Sequence, residues 1–228
     1  MVTKIIIADD DEGIRSLLLD AMQIAGFEVY LAADGTEALN LIKAESPDLL
    51  ILDIEMPRLG GYQVLRQLRK TSKIPVIMIS ARKAIVDKVE SFDLGADDYI
   101  TKPFELAELI ARVNVALRHD SMGTHDNEDF DDGYLHINFK ARQIFVEGRA
   151  IDLTTKEYNL LRELVLNKDQ MLDYRRLLKH IWGPEYETER NLVQVLVRRL
   201  RLKIEVNPEK PLYILTIEGA GYRFKTIS

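Results

Sequence analysis

The 228-residue sequence contains no cysteine, which excludes disulfides and thiolate metal sites. It also lacks any apolar run near the roughly 20 residues needed to span a bilayer, and it opens without a signal-peptide pattern. We therefore expect a cytoplasmic protein that has no membrane partner. With 46% apolar and 30% charged residues, the composition is typical of globular proteins, and the length is sufficient for two ordinary domains.

Charge is unevenly distributed between the two halves of the chain. Residues 1–120 contain 14 Lys or Arg and 20 Asp or Glu, whereas residues 131–228 contain 17 and 14. An acidic half followed by a mildly basic half predicts two domains with different partners. The basic excess is too small to predict nucleic-acid binding by itself.

Short apolar runs of strand length alternate with helical patterns in the first half. We predict strands at 4–8, 28–32, 49–53, 76–80 and 99–101. A first helix is predicted at 12–25 with Gly26 as its C-cap, and a last helix at 105–118. Strands buried on both faces and joined by helical crossovers imply a parallel, doubly wound α/β sheet.

Polar side chains stand where these predicted strands end. Asp9 and Asp10 follow the first strand, Asp53 ends the third, Ser80 ends the fourth, and Lys102 follows the fifth. Ligands of such sheets bind beyond the carboxyl ends of the strands. Clustered carboxylates repel one another unless a hard cation such as Mg²⁺ lies among them, and one carboxylate can then accept a phosphoryl group. The pattern predicts a Mg²⁺-assisted phosphoryl-acceptor site, in which the lysine and the hydroxyl bind phosphoryl oxygens.

Residues 1–120 resemble the receiver domain of bacterial two-component response regulators. The motifs that carry the resemblance are Asp9-Asp10, Asp53, Gly95-Ala96-Asp97-Asp98-Tyr99, Ser80-Ala81 and Lys102-Pro103-Phe104. The resemblance implies a flavodoxin-like sheet of strand order 2-1-3-4-5.

The same resemblance implies roles for individual residues. Asp53 would accept the phosphoryl group from a sensor histidine kinase. The ligands of Mg²⁺ would be Asp9, Asp10, Asp53 and the backbone carbonyl of Glu55, with Asp9 acting through water. Ser80 and Tyr99 would form a switch pair, in which the hydroxyl moves to the phosphoryl group and the ring turns inward. The Lys102–Pro103 peptide is expected to be cis.

Resemblance to the OmpR/PhoB subgroup further implies a homodimer that forms on phosphorylation through the fourth helix, fifth strand and fifth helix. The matching charges are Lys88, Asp97, Asp98, Glu108, Arg112 and Arg118. We expect pairs across a two-fold axis between Lys88 and Glu108, Asp98 and Arg112, and Asp97 and Arg118. The alternative is a set of solvated helix charges, in which each pair contributes about 0–1 kcal/mol.

A polar, acidic segment at 121–131 is predicted to be a linker, and 132–228 a second domain. Short strands are predicted at 134–139, 143–148 and 149–153, and a terminal hairpin at 212–216 and 222–226. Between them we predict three helices: one opened by a capping box of Thr154 and Glu157, one from Asp173 to Gly183-Pro184, and one over 189–206.

The third of these helices has two chemically different faces. Val193, Val197, Leu200 and Ile204 recur at helical spacing and should face the core. The predicted DNA-contacting residues are Asn191, Gln194, Arg198, Arg199 and Arg201. Side chains of these types read base edges and bind phosphates in a major groove, although a solvated face is the commoner role of a basic helix.

Four motifs make the second half similar to the winged helix-turn-helix effector of the OmpR/PhoB subgroup. They are Leu153-Thr154-x-x-Glu157, Ile181-Trp182-Gly183, Arg198-Arg199-Leu200-Arg201 and Gly221-Tyr222-Arg223-Phe224. The resemblance implies binding to double-stranded DNA, with RNA polymerase as a further partner.

Two residues depart from the pattern of that subgroup. Asn191 lies where many members have a DNA-contacting arginine. Glu218 lies in the wing turn, where many have an arginine for the minor groove, and because a carboxylate there would repel phosphates it argues against insertion of the wing into DNA. The departures resemble the potassium-responsive KdpE branch, a match too loose to predict target genes.

Alternatives remain from the sequence alone. The acids at 9–12 could cap the first helix, and Lys102-Pro103 could be an ordinary turn. Asp9 and Asp11 also resemble the Asp-x-Asp motif of haloacid-dehalogenase-type phosphohydrolases, as nucleophile and general acid, although Gly13 replaces the expected Thr or Val. A third hypothesis is a receiver-type regulator that binds DNA without phosphorylation.

Overall fold

The structure is a computed structural model that describes residues 2–82, 84–117 and 129–226, apart from the side chains of residues 85 and 185. The chain divides into two compact units, Met1–Asp120 and Ser121–Ser228. Within the described ranges, no helix has the length and apolar character required to cross a membrane.

The first unit alternates strands and helices. Its elements are β1 (Lys4–Ala8), α1 (Glu12–Ile24), β2 (Glu28–Ala32), α2 (Gly35–Glu45), β3 (Leu49–Asp53), α3 (Gly61–Leu68), β4 (Val76–Ser80), α4 (Ile85–Leu94), β5 (Asp98–Thr101) and α5 (Leu106–Leu117). The strands form one parallel sheet in the order β2-β1-β3-β4-β5. This is the predicted doubly wound, flavodoxin-like receiver fold, and four of the five strands have the predicted bounds.

The central strands of this sheet are buried because helices cover both faces. Every residue of β3 and β4 is buried, and so are four of the five residues of β1. Ile7, Ile51 and Ile79 of these strands share one core cluster with Leu109 and Val113 of α5. The apolar core therefore fixes the three strand ends that carry the polar side chains.

Helix α1 shows how local signals set element bounds. Its N-cap is Asp11, whose carboxylate accepts a hydrogen bond from the amide of Ile14 at 3.0 Å. Gly26 follows the C-cap Ala25 and adopts a φ of +90°, a conformation that glycine tolerates without strain. Leu17, which the spacing groups with the apolar face, is 52% exposed because residues 18, 21 and 22 fill the core-facing stripe.

The second unit contains two antiparallel sheets around three helices in its described part. Its elements are β6 (Phe130–Asp131), β7 (Leu135–Asn138), β8 (Gln143–Val146), β9 (Arg149–Ile151), α6 (Thr155–Leu166), β10 (Met171–Asp173), α7 (Tyr174–Ile181), a 3-10 helix (Pro184–Tyr186), α8 (Arg190–Ile204), β11 (Ile214–Ile217) and β12 (Gly221–Phe224). The sheet orders are β6-β7-β8-β9 and β10-β12-β11. This is the predicted winged helix-turn-helix architecture.

Two strands of the second unit were not predicted at all. Phe130 and Asp131, assigned to the linker, form β6, and the Phe130 ring packs edge-on against Phe224 at 5.5 Å. Residues 121–128 of the predicted linker lie outside the described residues. Strand β10 was not predicted, because three residues carry no alternation and only pairing with the distant β12 defines them.

The helix starts of the second unit agree with the prediction. Thr154 caps α6, its hydroxyl accepts from the amide of Glu157, and the Glu157 carboxylate accepts from the Thr154 amide at 2.8 Å. Asp173 caps α7 by accepting from the amide of Arg176 at 2.8 Å. These reciprocal bonds satisfy amides that the first helical turn leaves unpaired.

Gly61 provides a test of how tightly α3 packs on the strand that ends in Asp53. A Cβ at Gly61 would lie 2.2 Å from the Asp53 carbonyl oxygen, whereas a Cβ at Gly60 would lie 3.4 Å from its nearest neighbour. We expect Gly61→Ala to lower the free energy of unfolding by about 1–3 kcal/mol through overpacking. Gly60→Ala should cost less than about 1 kcal/mol, mainly because alanine is a poorer N-cap. Calorimetry on the full chain measures both, and equal losses would contradict the close contact.

Candidate metal centre and nucleic-acid interface

Three carboxylates meet at the carboxyl edge of the parallel sheet. Asp9 and Asp10 follow β1, and Asp53 ends the adjacent strand β3. One oxygen of each lies within 4.8 Å of the others, with Asp9 and Asp53 buried and Asp10 exposed. Oxygen ligands at this spacing fit a hard divalent cation, and the exposed member leaves the cluster open to solvent.

Lys102, which follows β5, joins the two buried members of this cluster. Its ammonium donates to Oδ2 of Asp9 at 2.7 Å and to Oδ2 of Asp53 at 2.9 Å. The other oxygen of Asp9 accepts from the Asp11 amide at 3.0 Å. The peptide between Lys102 and Pro103 is cis, as the family resemblance implies. The sheet thus brings together residues that are 49 and 93 positions from Lys102 in the sequence.

Burial and charge act in opposite directions on Asp53. Burial raises the pKa of its carboxyl, the hydrogen bond from Lys102 lowers it, and the nearby Asp9 raises it, with a net increase. Burial lowers the pKa of Lys102, but its bonds to both carboxylates outweigh that effect and the pKa is raised. Lys102 therefore stays charged between two acids, and an additional cation would favour the ionised, nucleophilic form of Asp53.

Ser80 and Tyr99, the predicted switch pair, contact the same residue. Ser80 is fully buried at the end of β4, and its hydroxyl accepts from the amide of Arg82 at 3.0 Å. The Tyr99 hydroxyl donates to the carbonyl of Arg82 at 2.7 Å, and its ring is buried. Burial raises the pKa of Tyr99, so the hydroxyl remains a donor.

Arg82 is a residue of this region that the sequence reasoning missed. Its guanidinium pairs with Glu55 at 3.1 Å and with Asp87 of α4 at 3.3 Å. Glu55 lies two residues beyond Asp53, and its amide points to Oδ1 of Asp53 at 3.4 Å. An arginine in a loop carries no pattern that identifies its partners, so only the packing of β3, β4 and α4 reveals this contact.

The predicted dimer charges are partly satisfied within one chain. Arg112 donates to Glu108 at 2.6 Å and to Asp98 at 3.3 Å. Lys88 lies half-buried on α4, and Arg118 lies outside the described residues.

Asp97 and Asp98 are the buried members of the predicted dimer charges that the structure describes, and Asp97 has partners far from the predicted interface. Its Oδ2 accepts from Arg69 at 2.9 Å and from the Val76 amide at 2.9 Å, and the residue is 2% exposed. Reaching a second chain would break both contacts. The expectation that Asp97 pairs across a dimer therefore has no support in this geometry.

Helix α8 buries the predicted apolar residues and exposes part of the predicted polar face. Val193, Val197, Leu200 and Ile204 are buried. Gln194 and Arg198 are exposed one turn apart, and Asn191 is half-exposed. This stripe suits contact with a polyanion.

Two of the predicted DNA contacts have partners inside the second unit. The Arg199 guanidinium pairs with Glu157 at 2.8 Å. Arg201 donates to the Ile214 carbonyl at 3.1 Å through Nε and lies over the Tyr222 ring, 5.8 Å from its centroid. Burial lowers the pKa of Arg201. Arg198, Arg199 and Arg201 thus have different surroundings, which could not be predicted from their residue type.

The wing turn carries no basic side chain. Glu218 is exposed between β11 and β12, and Gly219 adopts a φ of +69° beside it. An exposed carboxylate at this position repels phosphates.

Comparisons with known proteins agree with both units. Residues 5–114 match the family model described as response regulator receiver domain, and residues 148–224 match transcriptional regulatory protein, C terminal. The probable transcriptional regulator ycf27 of Cyanophora paradoxa is 40% identical, over 99% of this chain and 97% of its own. The sensory transduction protein RegX3 of Mycolicibacterium smegmatis is 36% identical, over 98% and 100%.

Solved structures give the same result. A mutant of RitR matches with a TM-score of 0.77 at 26% identity, covering 97% of this chain and 98% of that one. The response regulator DrrB, an OmpR/PhoB homologue from Thermotoga maritima, matches with a TM-score of 0.53 at 30% identity, covering 99% and 100%. The similarity therefore extends over both units.

Substitution of an acid within the cluster should weaken cation binding, whereas substitution of a neighbouring acid outside it should not. Asp10→Asn should weaken binding of Mg²⁺ by at least about tenfold, since it removes one of the clustered carboxylates. Asp11→Asn is the matched control, because Asn also caps a helix and the Asp11 side chain is engaged with the Ile14 amide. Isothermal titration with MgCl₂ measures both. Equal losses would indicate diffuse attraction by acidic side chains rather than a defined site.

Proposed function

We propose that Asp53 is the residue through which a histidine kinase controls this chain. The chain belongs to the OmpR/PhoB-type two-component response regulators. The family combines a receiver with a DNA-binding domain, and the chain is accordingly a phosphorylation-activated transcriptional regulator whose partners are a kinase and DNA. The observation that carries the proposal for Asp53 is its place beside Asp9, Asp10 and Lys102 at one edge of the sheet.

In the proposed reaction, an ionised oxygen of Asp53 attacks the phosphorus of a phosphohistidine. A bond between that oxygen and phosphorus forms, and the phosphorus–nitrogen bond breaks with its electron pair left on the imidazole. Lys102 neutralises charge on the phosphoryl oxygens. Asp9, Asp10, Asp53 and the carbonyl of Glu55 would hold Mg²⁺, which when bound supplies further charge neutralisation. The chain would also lose the phosphoryl group slowly by hydrolysis, so its proposed catalysis is confined to its own phosphorylation and dephosphorylation.

The switch proposal follows from the contacts of Arg82. The Ser80 hydroxyl accepts from the Arg82 amide, so its proton is available to donate to a phosphoryl oxygen on Asp53, and movement toward that oxygen would weaken the bond from Arg82. Movement of Ser80 would release Arg82, whose carbonyl accepts from Tyr99 and whose guanidinium pairs with Asp87 of α4. The signal would thereby reach the face formed by α4, β5 and α5.

We propose that this face forms a two-fold homodimer on phosphorylation. Lys88, Asp98, Glu108 and Arg112 would take part. Contacts within the chain, such as Arg112 with Glu108, would be exchanged for equivalent contacts between chains, which is possible in an isologous interface. Coupling requires that the phosphorylated form dimerise more tightly than the free form.

The proposed DNA-contacting residues are Gln194 and Arg198, with Asn191 beside them. They are exposed on α8, while the apolar residues of the same helix anchor it. The proposed receiver comprises residues 1–120, and the proposed effector begins at β6 rather than at 132. Contact with RNA polymerase and a cytoplasmic location are part of the same proposal.

The phosphohydrolase hypothesis has less support than the regulator. Asp11 would have to act as general acid, yet its carboxylate caps α1. The relatives of the chain are transcriptional regulators. Sustained release of phosphate from an excess of phosphomonoester would favour the enzyme.

Asp53→Asn should abolish phosphorylation by acetyl phosphate with Mg²⁺, because the amide is not a nucleophile for phosphorus. Asp48→Asn is the control, since Asp48 precedes the same strand at its opposite end, where its carboxylate accepts from the Lys4 amide. Intact-mass spectrometry should show one label on the wild type and on Asp48→Asn. A label that persists on Asp53→Asn would refute the assignment.

Lys88→Glu should weaken phosphorylation-dependent dimerisation, since it places two acids opposite each other, and Glu108→Lys in the same chain should restore it. The pair occurs twice in a two-fold interface, so we expect the single variant to raise the dimer dissociation constant by about thirtyfold, from roughly 1 kcal/mol at each exposed pair. Sedimentation velocity with the phosphorylated protein measures this. A double variant no better than Lys88→Glu would rule out the pairing.

A further inference from the structure

Glu157 is the most completely buried acid of the second unit among the described residues, with no exposed surface. One of its oxygens accepts from the Thr154 amide at 2.8 Å and closes the capping box of α6. The same oxygen accepts from Lys203 at 2.6 Å, and the other pairs with Arg199 at 2.8 Å. Both cations belong to α8, so Glu157 links the start of one helix to the basic side of another.

The charge of Glu157 depends on this link. Burial alone would raise its pKa, but Arg199 and Lys203 outweigh burial and hold the pKa below its usual value. An ionised carboxylate without exposed surface requires such partners. The buried carboxylate of Glu157 therefore needs these two cations, and the pairing holds their side of α8 against α6.

Apolar burial and the ion pairs both bear on the rotation of α8. Buried residues occur at 192, 193, 195, 196, 197, 200 and 204, which span an arc of about 200° on the helix circumference. Leu202 is 62% exposed although it is apolar. A rotation by one residue, about 100°, would exchange Arg198 and Arg199 between the outer and inner sides. The ion pairs of Glu157 therefore act together with apolar burial in selecting the observed orientation.

We infer that Glu157 is a positioning residue for DNA recognition: it holds Arg199 and Lys203 inward and so turns Gln194 and Arg198 toward the DNA. The inference rests on the proposed function of α8. Arg199, which the sequence groups with the DNA contacts, then acts as the counter-ion of Glu157. The adjacent residues Arg198 and Arg199 then have different roles, because Glu157 of α6 binds only Arg199.

Glu157→Gln separates this role from folding, because glutamine also closes a capping box but carries no charge. Glu163→Gln on the same helix is the matched control, since Glu163 pairs with Arg176 and His180 of α7 and with neither cation of α8. The probes are a duplex enriched by the wild-type full chain from a random pool and a scrambled duplex of equal length.

We expect Glu157→Gln to lower the ratio of affinities for the selected and scrambled duplexes by about tenfold, the order of one misplaced base contact. Glu163→Gln should change this ratio by less than about twofold, as for a residue remote from the base contacts. The added positive charge of Glu157→Gln would by itself strengthen binding to both duplexes, and general unfolding would weaken both. A ratio that stays constant in Glu157→Gln would overturn the inference.

The salt dependence of DNA binding tests the division between the arginines. Arg198→Ala should reduce the slope of log K against log salt by about 0.9, the value for one phosphate contact, whereas Arg199→Ala should leave it unchanged. An equal reduction by Arg199→Ala would overturn the inference. If Arg198→Ala leaves the slope unchanged, the proposed DNA-contacting helix itself is wrong.

A second pair of variants decides the matter if Glu157→Gln loses helical signal in far-UV circular dichroism. Arg199→Ala should then lower the affinity ratio, and Arg199→Lys should preserve it, because lysine retains the charge that Glu157 requires. A ratio that Arg199→Ala leaves unchanged would overturn the inference.

Discussion

The ammonium of Lys102, held between the buried carboxylates of Asp9 and Asp53, is the contact on which the receiver depends. Burial of an unpaired carboxylate is costly, so the ammonium offsets a penalty that both acids would otherwise carry. The parallel sheet makes the contact possible because it aligns the carboxyl ends of β1, β3 and β5. One lysine for two acids leaves the cluster with net negative charge. The same shortage of positive charge makes the site receptive to a metal ion.

Both units contain buried acids that form ion pairs with specific cationic side chains. Arg69 compensates Asp97 at the start of β5, and Arg199 with Lys203 compensates Glu157 in the second unit. Each pair connects elements far apart in sequence. Breaking such a pair costs more than breaking an exposed one, because the remaining ion has no water to replace its partner. These pairs therefore constrain geometry in addition to apolar packing.

Strand bounds of the receiver could be predicted from the sequence because both faces of β1, β3 and β4 are buried, which leaves uninterrupted apolar runs. The acids and the lysine at the strand ends were recognisable for the same reason. The contacts of Asp97 and Arg199 within the chain could not be predicted, since residue type does not reveal which distant group a charged side chain meets. Strand β10 and Arg82 escaped prediction because only tertiary contacts define them.

Arg82 offers its amide to Ser80 and its carbonyl to Tyr99, so one residue holds both groups. Displacement of the backbone at Arg82 would disturb both bonds together. Under the proposed switch, the receiver would then have two settings and few intermediate ones. Its output would vary as the fraction of molecules switched, with each molecule fully on or fully off, rather than as a graded distortion of every molecule.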